Sequence, residues 1–320
     1  MRYGADMFPV VEPYAHGWVE NPDGDSIYWE TSGNPDGVPV LWLHGGPGSG
    51  LGPGNYRKRY DPERFRLVGI DQRGCGRSTP SVVDALDRLP ANTTDGLIAD
   101  IELVRAELGI DRWVVTGGSW GSTLSLAYAL AHPERVIGIV LAAVTTTGRA
   151  EVDWITETMG RVFPEAWESL ERSSHRRPGE RVIDAYARVL ATGTLEERIA
   201  AADAWDAWES THVSLDPNFV PGPLHTDPAQ RLVFATLVTH YWANDAFLPG
   251  ERAILNRVSE LAHIPAVLIH GRHDVSGPVI TAWLLHRQWP ASRLTIVEGE
   301  GHWGPEASEL MAEAISRFAR

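Results

Sequence analysis

Short apolar runs alternate with helical repeats along the first 144 residues and again after residue 264. The runs are rich in β-branched residues and end at glycine, proline or polar turns, which is typical of strands covered on both faces. They predict strands over 26–32, 38–43, 65–70, 113–116, 136–144, 265–271 and 294–297. Apolar residues at helical spacing predict helices over 94–108, 280–288 and 307–318, and one that ends at Ala131. Strand alternating with helix indicates an α/β fold with a mostly parallel central sheet flanked by helices.

The alternation stops between residues 145 and 249, where the pattern is helical throughout. It predicts helices over 154–163, 164–171, 180–191, 195–212 and 229–242, joined by loops that contain proline and glycine. We interpret this part as a helical cap inserted into the sheet domain. The predicted organisation is therefore a catalytic domain formed by 1–145 and 250–320, with a cap domain over 146–249.

A glycine-flanked serine lies where the 113–116 strand gives way to a helix. Residues 117–121 read GGSWG, which is the G-x-S-x-G pattern of a nucleophile elbow. Such a turn holds the serine in a strained conformation at the positive end of a helix, with its hydroxyl exposed. Because a serine hydroxyl is a poor nucleophile at neutral pH, Ser119 requires a base, an acid that orients the base, and donors for the oxyanion.

The strand over 38–43 runs into a second glycine-rich segment, HGGPG at 44–48. Glycines after a strand let backbone N–H groups turn inward, as an oxyanion hole needs. We expect the N–H groups of Gly46 and Trp120 to be the donors, and His44 to organise the loop. The alternative for this segment on its own is a flexible turn.

The base and its orienting acid are predicted at two further strand ends. Asp274 and His302 each follow a predicted strand, and with Ser119 they occur in the chain order Ser, Asp, His. In this hypothesis His302 takes the serine proton and Asp274 fixes the imidazole. His273 and Glu300 are the neighbouring alternatives.

Composition narrows the class of partner. The chain has 320 residues and a formal net charge of −14, which argues against nucleic acid or an anionic membrane surface as a partner and favours neutral or cationic substrates. A small peptide or small-molecule substrate is compatible with this charge. Cys75 is the only cysteine, so no internal disulfide forms, and it has no base beside it. With no signal-peptide pattern or membrane-length apolar run, we expect a cytoplasmic protein. No metal-ligand spacing or nucleotide-binding glycine motif occurs, so we expect no metal and no cofactor.

One segment of the predicted cap combines two tryptophans with a carboxylate. Trp205 and Glu209 share a helix face at a spacing of four residues, and Trp208 precedes the glutamate. An aromatic wall with a carboxylate suits the binding of an amine, and we expect all three residues to contact substrate. The alternative is an ordinary helix with a solvated glutamate.

The sequence resembles the proline iminopeptidases, serine aminopeptidases of the α/β-hydrolase superfamily. The resemblance covers nearly the whole chain and is carried by HGGPG at 44–48, DQRGCGRS at 71–78, GGSWGS at 117–122, HPERV at 132–136 and GRHD at 271–274. It implies removal of an N-terminal proline from a peptide, without a cofactor, beneath a helical cap. It also implies that the segment matched by Trp208 and Glu209 helps to bind the free α-amine of the substrate.

Two positions depart from that family's pattern. Val238 occupies the place of a second cap glutamate, and Ala142-Ala143 stands where the family has an arginine. We therefore expect intact acyl-transfer machinery beside a substrate pocket that includes Val238 and is more apolar than in a standard proline iminopeptidase. An esterase or amidase acting on a small metabolite is the alternative, and a non-catalytic binding protein on the same fold is a third.

Overall fold

An eight-stranded sheet runs through the part of the chain that the computed structural model describes, residues 7–217, 219–220, 222 and 224–319. The strands are β1 (Ala15–Glu20), β2 (Ser26–Gly33), β3 (Val38–Leu43), β4 (Phe65–Ile70), β5 (Trp113–Ser119), β6 (Val136–Val144), β7 (Ala266–Gly271) and β8 (Ser292–Val297). Their order is β1-β2-β4-β3-β5-β6-β7-β8. The pairs β1–β2 and β2–β4 are antiparallel, and all other neighbours are parallel, as the sequence predicted. The first six residues of the predicted catalytic domain lie outside the described residues.

The described α-helices lie between strands of the parallel sheet in the sequence, and one follows the last strand. They are α1 (Thr94–Glu107), α2 (Trp120–Ala131), α3 (Arg149–Thr156), α4 (Pro164–Ser174), α5 (Val182–Thr192), α6 (Leu195–His212), α7 (Pro228–Ala243), α8 (Ile254–Arg257), α9 (Ile280–Gln288) and α10 (Pro305–Ser316). Short 3₁₀ segments join several of them. None of the helices in the described ranges is long and apolar enough to cross a membrane.

The central strands are buried on both faces because successive side chains point to opposite sides of the sheet. Val114 packs in the cluster that contains Met311 of α10, whereas its neighbour Val115 packs in the cluster that contains Leu124 of α2. This two-sided burial explains why the strands read as continuous apolar runs in the sequence. Because β3, β5, β7 and β8 run parallel, their carboxyl ends lie at one edge of the sheet, where the predicted site residues follow.

The cap consists of α3 to α7, which lie between β6 and β7 in the sequence. Its buried residues, including Tyr186, Trp205 and Leu237, belong to the same apolar cluster as one face of the sheet. The cap is therefore packed onto the sheet domain through a continuous core. The boundaries at 146 and 249 remain a prediction.

Two local predictions differ from the structure. The helix expected over 154–163 was wrong in its bounds: α3 begins at Arg149, because the Glu151 carboxylate accepts the Gly148 backbone N–H at 3.2 Å and caps the first turn, and a 3₁₀ segment covers 158–161. Strand β1 was not predicted. It is an edge strand whose residues alternate between exposed and partly buried, so it carries no apolar run.

Candidate active site

Ser119 lies at the last position of β5, directly before α2, in a conformation that few non-glycine residues adopt. Its φ is 57° and its ψ is −128°. The flanking glycines are required by contact: a Cβ on Gly117 would lie 2.3 Å from the Gly121 carbonyl oxygen, and one on Gly121 would lie 2.1 Å from that of Leu43. The strand and helix therefore approach closely enough to form the sharp turn that the motif predicted.

Asp274 and His302 meet beyond the ends of β7 and β8. His302 Nδ1 lies 2.8 Å from Asp274 Oδ2, and the backbone N–H of Gly277 donates to Asp274 Oδ1 at 2.9 Å. His270 Nε2 lies 3.5 Å from the same carboxylate. Burial by itself raises the pKa of Asp274, but the charge and hydrogen bond of His302 outweigh it and lower the pKa below its usual value.

The interaction between Asp274 and His302 shifts the pKa of the histidine in the opposite direction. Burial lowers the pKa of His302, but the Asp274 carboxylate raises it above the usual value for a histidine. His302 and Ser119 line the same two cavities. No hydrogen bond joins Ser119 Oγ to His302 within the described residues, and such bonds are often long before a substrate is bound.

The glycine-rich loop after β3 lies against the elbow. Gly46 has a φ of +109° and lines both cavities, and Trp120, the first residue of α2, lines the smaller one. A Cβ on Gly45 would lie 3.4 Å from Ser119 Cβ. The structure therefore brings the two predicted oxyanion donors beside Ser119, and the N–H of Trp120 belongs to the unpaired first turn of a helix.

Gln72, which sequence reasoning assigned no specific role, ties this loop to the elbow. Its backbone N–H donates to His44 Nε2 at 3.1 Å, and its side-chain oxygen accepts the Trp120 indole N–H at 2.9 Å. Because Nε2 is an acceptor, the proton of His44 is on Nδ1, which lies 2.9 Å from the Gly45 carbonyl oxygen. Burial lowers the pKa of His44 and keeps it neutral, so it organises the loop as predicted.

The smaller of the two cavities has a polar wall. It has a volume of about 30 Å³, and Thr145, Thr147, Glu151 and Ser276 line it together with Ser119. The hydroxyls of Thr145 and Thr147 lie 3.3 Å apart, and the Glu151 carboxylate accepts several hydrogen bonds of its own. The sequence predicted a pocket more apolar than in a standard proline iminopeptidase; that comparison stays a prediction, and on this side of Ser119 the lining includes several polar side chains.

The larger cavity, of about 320 Å³, extends from Ser119 under the cap. Glu209 lines it and is buried. Within the described residues its carboxylate has one hydrogen-bond donor, the Trp205 indole N–H at 3.0 Å. Burial raises the pKa of Glu209 to about 7, although His302 and the indole both lower it. The cavity lining is Gly45, Gly46, Ser49, Ser119, Glu209, Val213, Leu224, His225, Phe234, Trp242, Ser276 and His302.

The other predicted substrate contacts lie in the core of the cap. Trp205 packs edge-on against Tyr186 and Trp242, with ring centroids 5.3 and 5.7 Å apart. Trp208 and Val238 are buried as well, and none of the three predicted contacts is among the described residues that line the two cavities. Their aromatic and apolar side chains support the helix that presents Glu209. The aromatic wall is formed instead by Trp242 and Phe234, which the pattern did not single out.

Comparison with known proteins shows the family of the chain. The family model described as alpha/beta hydrolase fold matches residues 38–307. The proline iminopeptidase of Neisseria meningitidis serogroup B is 42% identical over 312 residues, covering 97% of both chains. That of Arabidopsis thaliana is 41% identical and covers 97% of this chain and 80% of the relative. The chain belongs to the proline iminopeptidase family.

The similarity to solved structures is evidence for the fold alone. A proline iminopeptidase from Mycobacterium smegmatis superposes with a TM-score of 0.63 at 21% identity, covering 95% of this chain and 99% of that one. An esterase from Exiguobacterium antarcticum gives 0.62 at 20% identity, with the same coverage. As a member of the proline iminopeptidase family, the chain is a serine hydrolase of the α/β-hydrolase fold.

In this proline iminopeptidase homologue, the cap is hydrogen-bonded to the loops that carry Asp274 and His302. The backbone N–H of His302 donates to the Val213 carbonyl at 3.1 Å, and that of Leu215 donates to the His273 carbonyl at 2.9 Å. Val213 and Leu215 both belong to the segment that follows α6, the helix that carries Glu209. The alternative acid Glu300 has a different role, because it accepts the N–H groups of Glu306 and Ala307 at the start of α10.

Proposed function

We propose that this chain releases proline from the N-terminus of small peptides through an acyl-enzyme on Ser119. The observation that carries the proposal is Glu209, a buried carboxyl group that shares a cavity with Ser119 and His302 and has an indole N–H as its donor. A free substrate amine supplies the cation that this carboxyl group lacks. The names of the relatives support the same activity.

The reaction follows from the positions of the three side chains. Ser119 Oγ attacks the carbonyl carbon of the substrate while His302 Nε2 takes its proton, and Asp274 stabilises the imidazolium. The carbonyl oxygen becomes an oxyanion beside the N–H groups of Gly46 and Trp120. His302 then returns the proton to the departing amine. Water, deprotonated by His302, attacks the ester carbonyl and frees both proline and Ser119.

Recognition of the free amine takes place on the cap side of Ser119. The prolyl ammonium pairs with Glu209, which ionises when the cation arrives, because an adjacent positive charge lowers the pKa of a carboxyl group. An N-blocked substrate brings no charge and leaves Glu209 without a cationic partner in the cavity. The proposed enzyme is therefore an aminopeptidase rather than an endopeptidase.

The experiment compares prolyl-p-nitroanilide with its N-acetyl derivative, together with labelling by a fluorophosphonate probe. We expect hydrolysis of the free-amine substrate, little hydrolysis of the blocked one, and labelling that Ser119→Ala abolishes. Ser316→Ala, in α10 and outside both cavities, is the matched control and keeps labelling and activity. Preferred hydrolysis of the blocked substrate contradicts the aminopeptidase.

The polar wall of the smaller cavity favours a second candidate, an esterase or amidase for a small metabolite. Thr145, Thr147 and Ser276 offer hydroxyls to an acyl group that contains oxygen. A panel of aryl esters and prolyl amides at equal concentrations separates the two functions. Higher kcat/KM on neutral esters with no response to Glu209→Gln selects this second candidate.

We place the reaction in the cytoplasm, since a chain with Cys75 as its single cysteine needs no disulfide. We also propose 146–249 as the cap domain and the rest of the chain as the catalytic domain. Cell fractionation tests the first statement. Limited proteolysis tests the second, and cleavage close to residues 146 and 249 is the expected result.

A further inference from the structure

A second ionisable side chain of the cap reaches the cavity that contains Ser119 and Glu209. His225 lines this cavity, and it precedes α7 by a few residues. The proposed reaction assigns it no role. No sequence pattern indicated it either, because it lies in a loop rich in proline and glycine.

The orientation of His225 is fixed from several sides. Asp206 Oδ1 accepts the backbone N–H of His225 at 3.1 Å and lies 3.2 Å from its Nδ1. The Phe234 ring lies against the imidazole, with centroids 4.2 Å apart. The guanidinium of Arg231 donates twice to the His225 carbonyl, at 3.1 and 2.9 Å. Asp206 is buried, and it lies on α6 one turn before Glu209.

These contacts determine which nitrogen carries the proton. A carboxylate beside Nδ1 requires the hydrogen there, so Nε2 keeps a lone pair. Burial lowers the pKa of His225, and this outweighs the opposite effect of Asp206, so the ring is neutral near pH 7. Nε2 has no hydrogen-bond partner among the residues that the structure describes. Nε2, on the side of the ring away from Asp206, is therefore the free acceptor.

We propose that His225 Nε2 accepts a hydrogen bond from the α-ammonium of the substrate, so that His225 is a specificity-determining residue beside Glu209 and Asp206 is its positioning residue. The proposal rests on the proposed aminopeptidase function. It adds the second of two acceptors for the same cation.

The number of acceptors matches the chemistry of proline. A prolyl ammonium is secondary and has two N–H bonds, whereas the ammonium of other N-terminal residues has three. In a buried cavity each N–H that loses water needs a protein acceptor. Glu209 and His225 provide a separate acceptor residue for each N–H bond of a prolyl ammonium, whereas the third N–H bond of a primary ammonium has to share one of these two residues. The pair therefore favours proline over residues with a primary amine.

The test uses substrates that differ only in the amine. Prolyl-p-nitroanilide is compared with cyclopentanecarbonyl-p-nitroanilide, which has the same ring without nitrogen, and with alanyl-p-nitroanilide. We expect His225→Phe to raise KM for the prolyl substrate about tenfold, to change kcat/KM for the cyclopentane compound less than twofold, and to narrow the preference for prolyl over alanyl. His263→Phe, an exposed histidine that lines neither cavity, is the matched control.

Two further variants separate hydrogen bonding from packing. In His225→Gln the side-chain oxygen is an acceptor again, and we expect it to restore part of the prolyl KM. Asp206→Asn weakens the control over the imidazole tautomer, and we expect a smaller rise in KM for the prolyl substrate alone. Equal losses on the prolyl and cyclopentane substrates, or no rescue by Gln, overturn the proposal.

Direct binding keeps this proposal distinct from the proposed function. In a Ser119→Ala background, prolinamide and cyclopentanecarboxamide are titrated by calorimetry, with and without His225→Phe. We expect the histidine to matter for prolinamide only. If the wild-type chain hydrolyses no free-amine substrate while Ser119 is still labelled, the proposed function fails; if it hydrolyses prolyl substrates and His225→Phe binds prolinamide normally, only the role of His225 fails.

Discussion

Two buried carboxyl groups face the same histidine and have opposite electrostatic characters. Asp274, in the catalytic domain, lies against His302 Nδ1, the Gly277 N–H and the nearby His270, and its pKa is lowered. Glu209, in the cap, has the neutral Trp205 indole as its donor, and burial raises its pKa to about 7. Burial has the same sign at both sites, so the partners make the difference.

The comparison distinguishes a carboxylate that is complete in the free protein from one that is completed by its ligand. Asp274 already has donors for its charge and holds an imidazole in place. Glu209 lacks a charged donor among the described residues, and in the proposed function a substrate ammonium supplies one. In the proposed function the loops at the strand ends carry out the chemistry, and the cap recognises the amine.

The largest expected effect is at Asp274. Asp274→Asn removes the charge that fixes the His302 tautomer and stabilises the imidazolium, and we expect kcat to fall about 10⁴-fold on amides and esters alike. Steady-state kinetics on both substrate types measure it. Asp36→Asn, in an exposed turn, is the control and keeps full activity. A loss confined to free-amine substrates goes against the role assigned to Asp274.

Glu209→Gln tests the other half of the comparison. It removes an ion pair that contributes about 2 kcal/mol to substrate binding. We therefore expect KM for prolyl-p-nitroanilide to rise about 30-fold, while a neutral aryl ester keeps its KM. Glu300→Gln, which alters another buried glutamate outside the cavities, is the matched control. An equal change on the ester shows that Glu209 acts on the triad rather than on the amine.

The pH profiles of the two substrate types are expected to differ on the acid side. His302 acts as a base only when it is neutral, and since its pKa is raised, activity on every substrate falls as the pH drops through that value. Free-amine substrates also need Glu209 ionised, and its pKa is about 7. The acid limb of kcat/KM is therefore steeper for the prolyl amide, by up to about tenfold per pH unit. Parallel limbs rule out ionised Glu209 as the amine partner.

The smallest effect concerns Glu300, a buried carboxylate that lines neither cavity. Glu300 caps α10, and Glu300→Gln replaces a charged acceptor with a neutral one at a helix N-terminus. We expect the free energy of unfolding to decrease by about 1 kcal/mol, measured by urea denaturation, with kcat/KM changed less than twofold. A loss of activity as large as that of Glu209→Gln would show that Glu300 is more than a helix cap.

Local sequence predicted the sheet and the catalytic loops well, because each strand and each loop is determined by residues that are neighbours in the sequence. The elbow at Ser119 is determined by contacts within a few residues, and Asp274 and His302 each follow directly from a strand. Their meeting is a consequence of parallel strands that end at one edge.

The cap was harder to predict because its residues are sorted by tertiary packing. The helical spacing correctly placed Trp205 and Glu209 on one face, and the structure joins them by a hydrogen bond. Whether that face meets a cavity or a neighbouring helix depends on α5 and α7, which carry the Tyr186 and Trp242 rings that pack against Trp205. His225 is oriented by Asp206, which lies 19 residues earlier, and no local sequence pattern predicts a contact at that separation.

The hydrogen bond from the His302 N–H to the Val213 carbonyl limits how the enzyme opens. A cap that swings away as a rigid lid breaks this bond and loosens the base at the same time. We therefore expect cap opening and proton transfer to be linked, so that a peptide too bulky to fit under the closed cap would meet a His302 that has lost this backbone hydrogen bond.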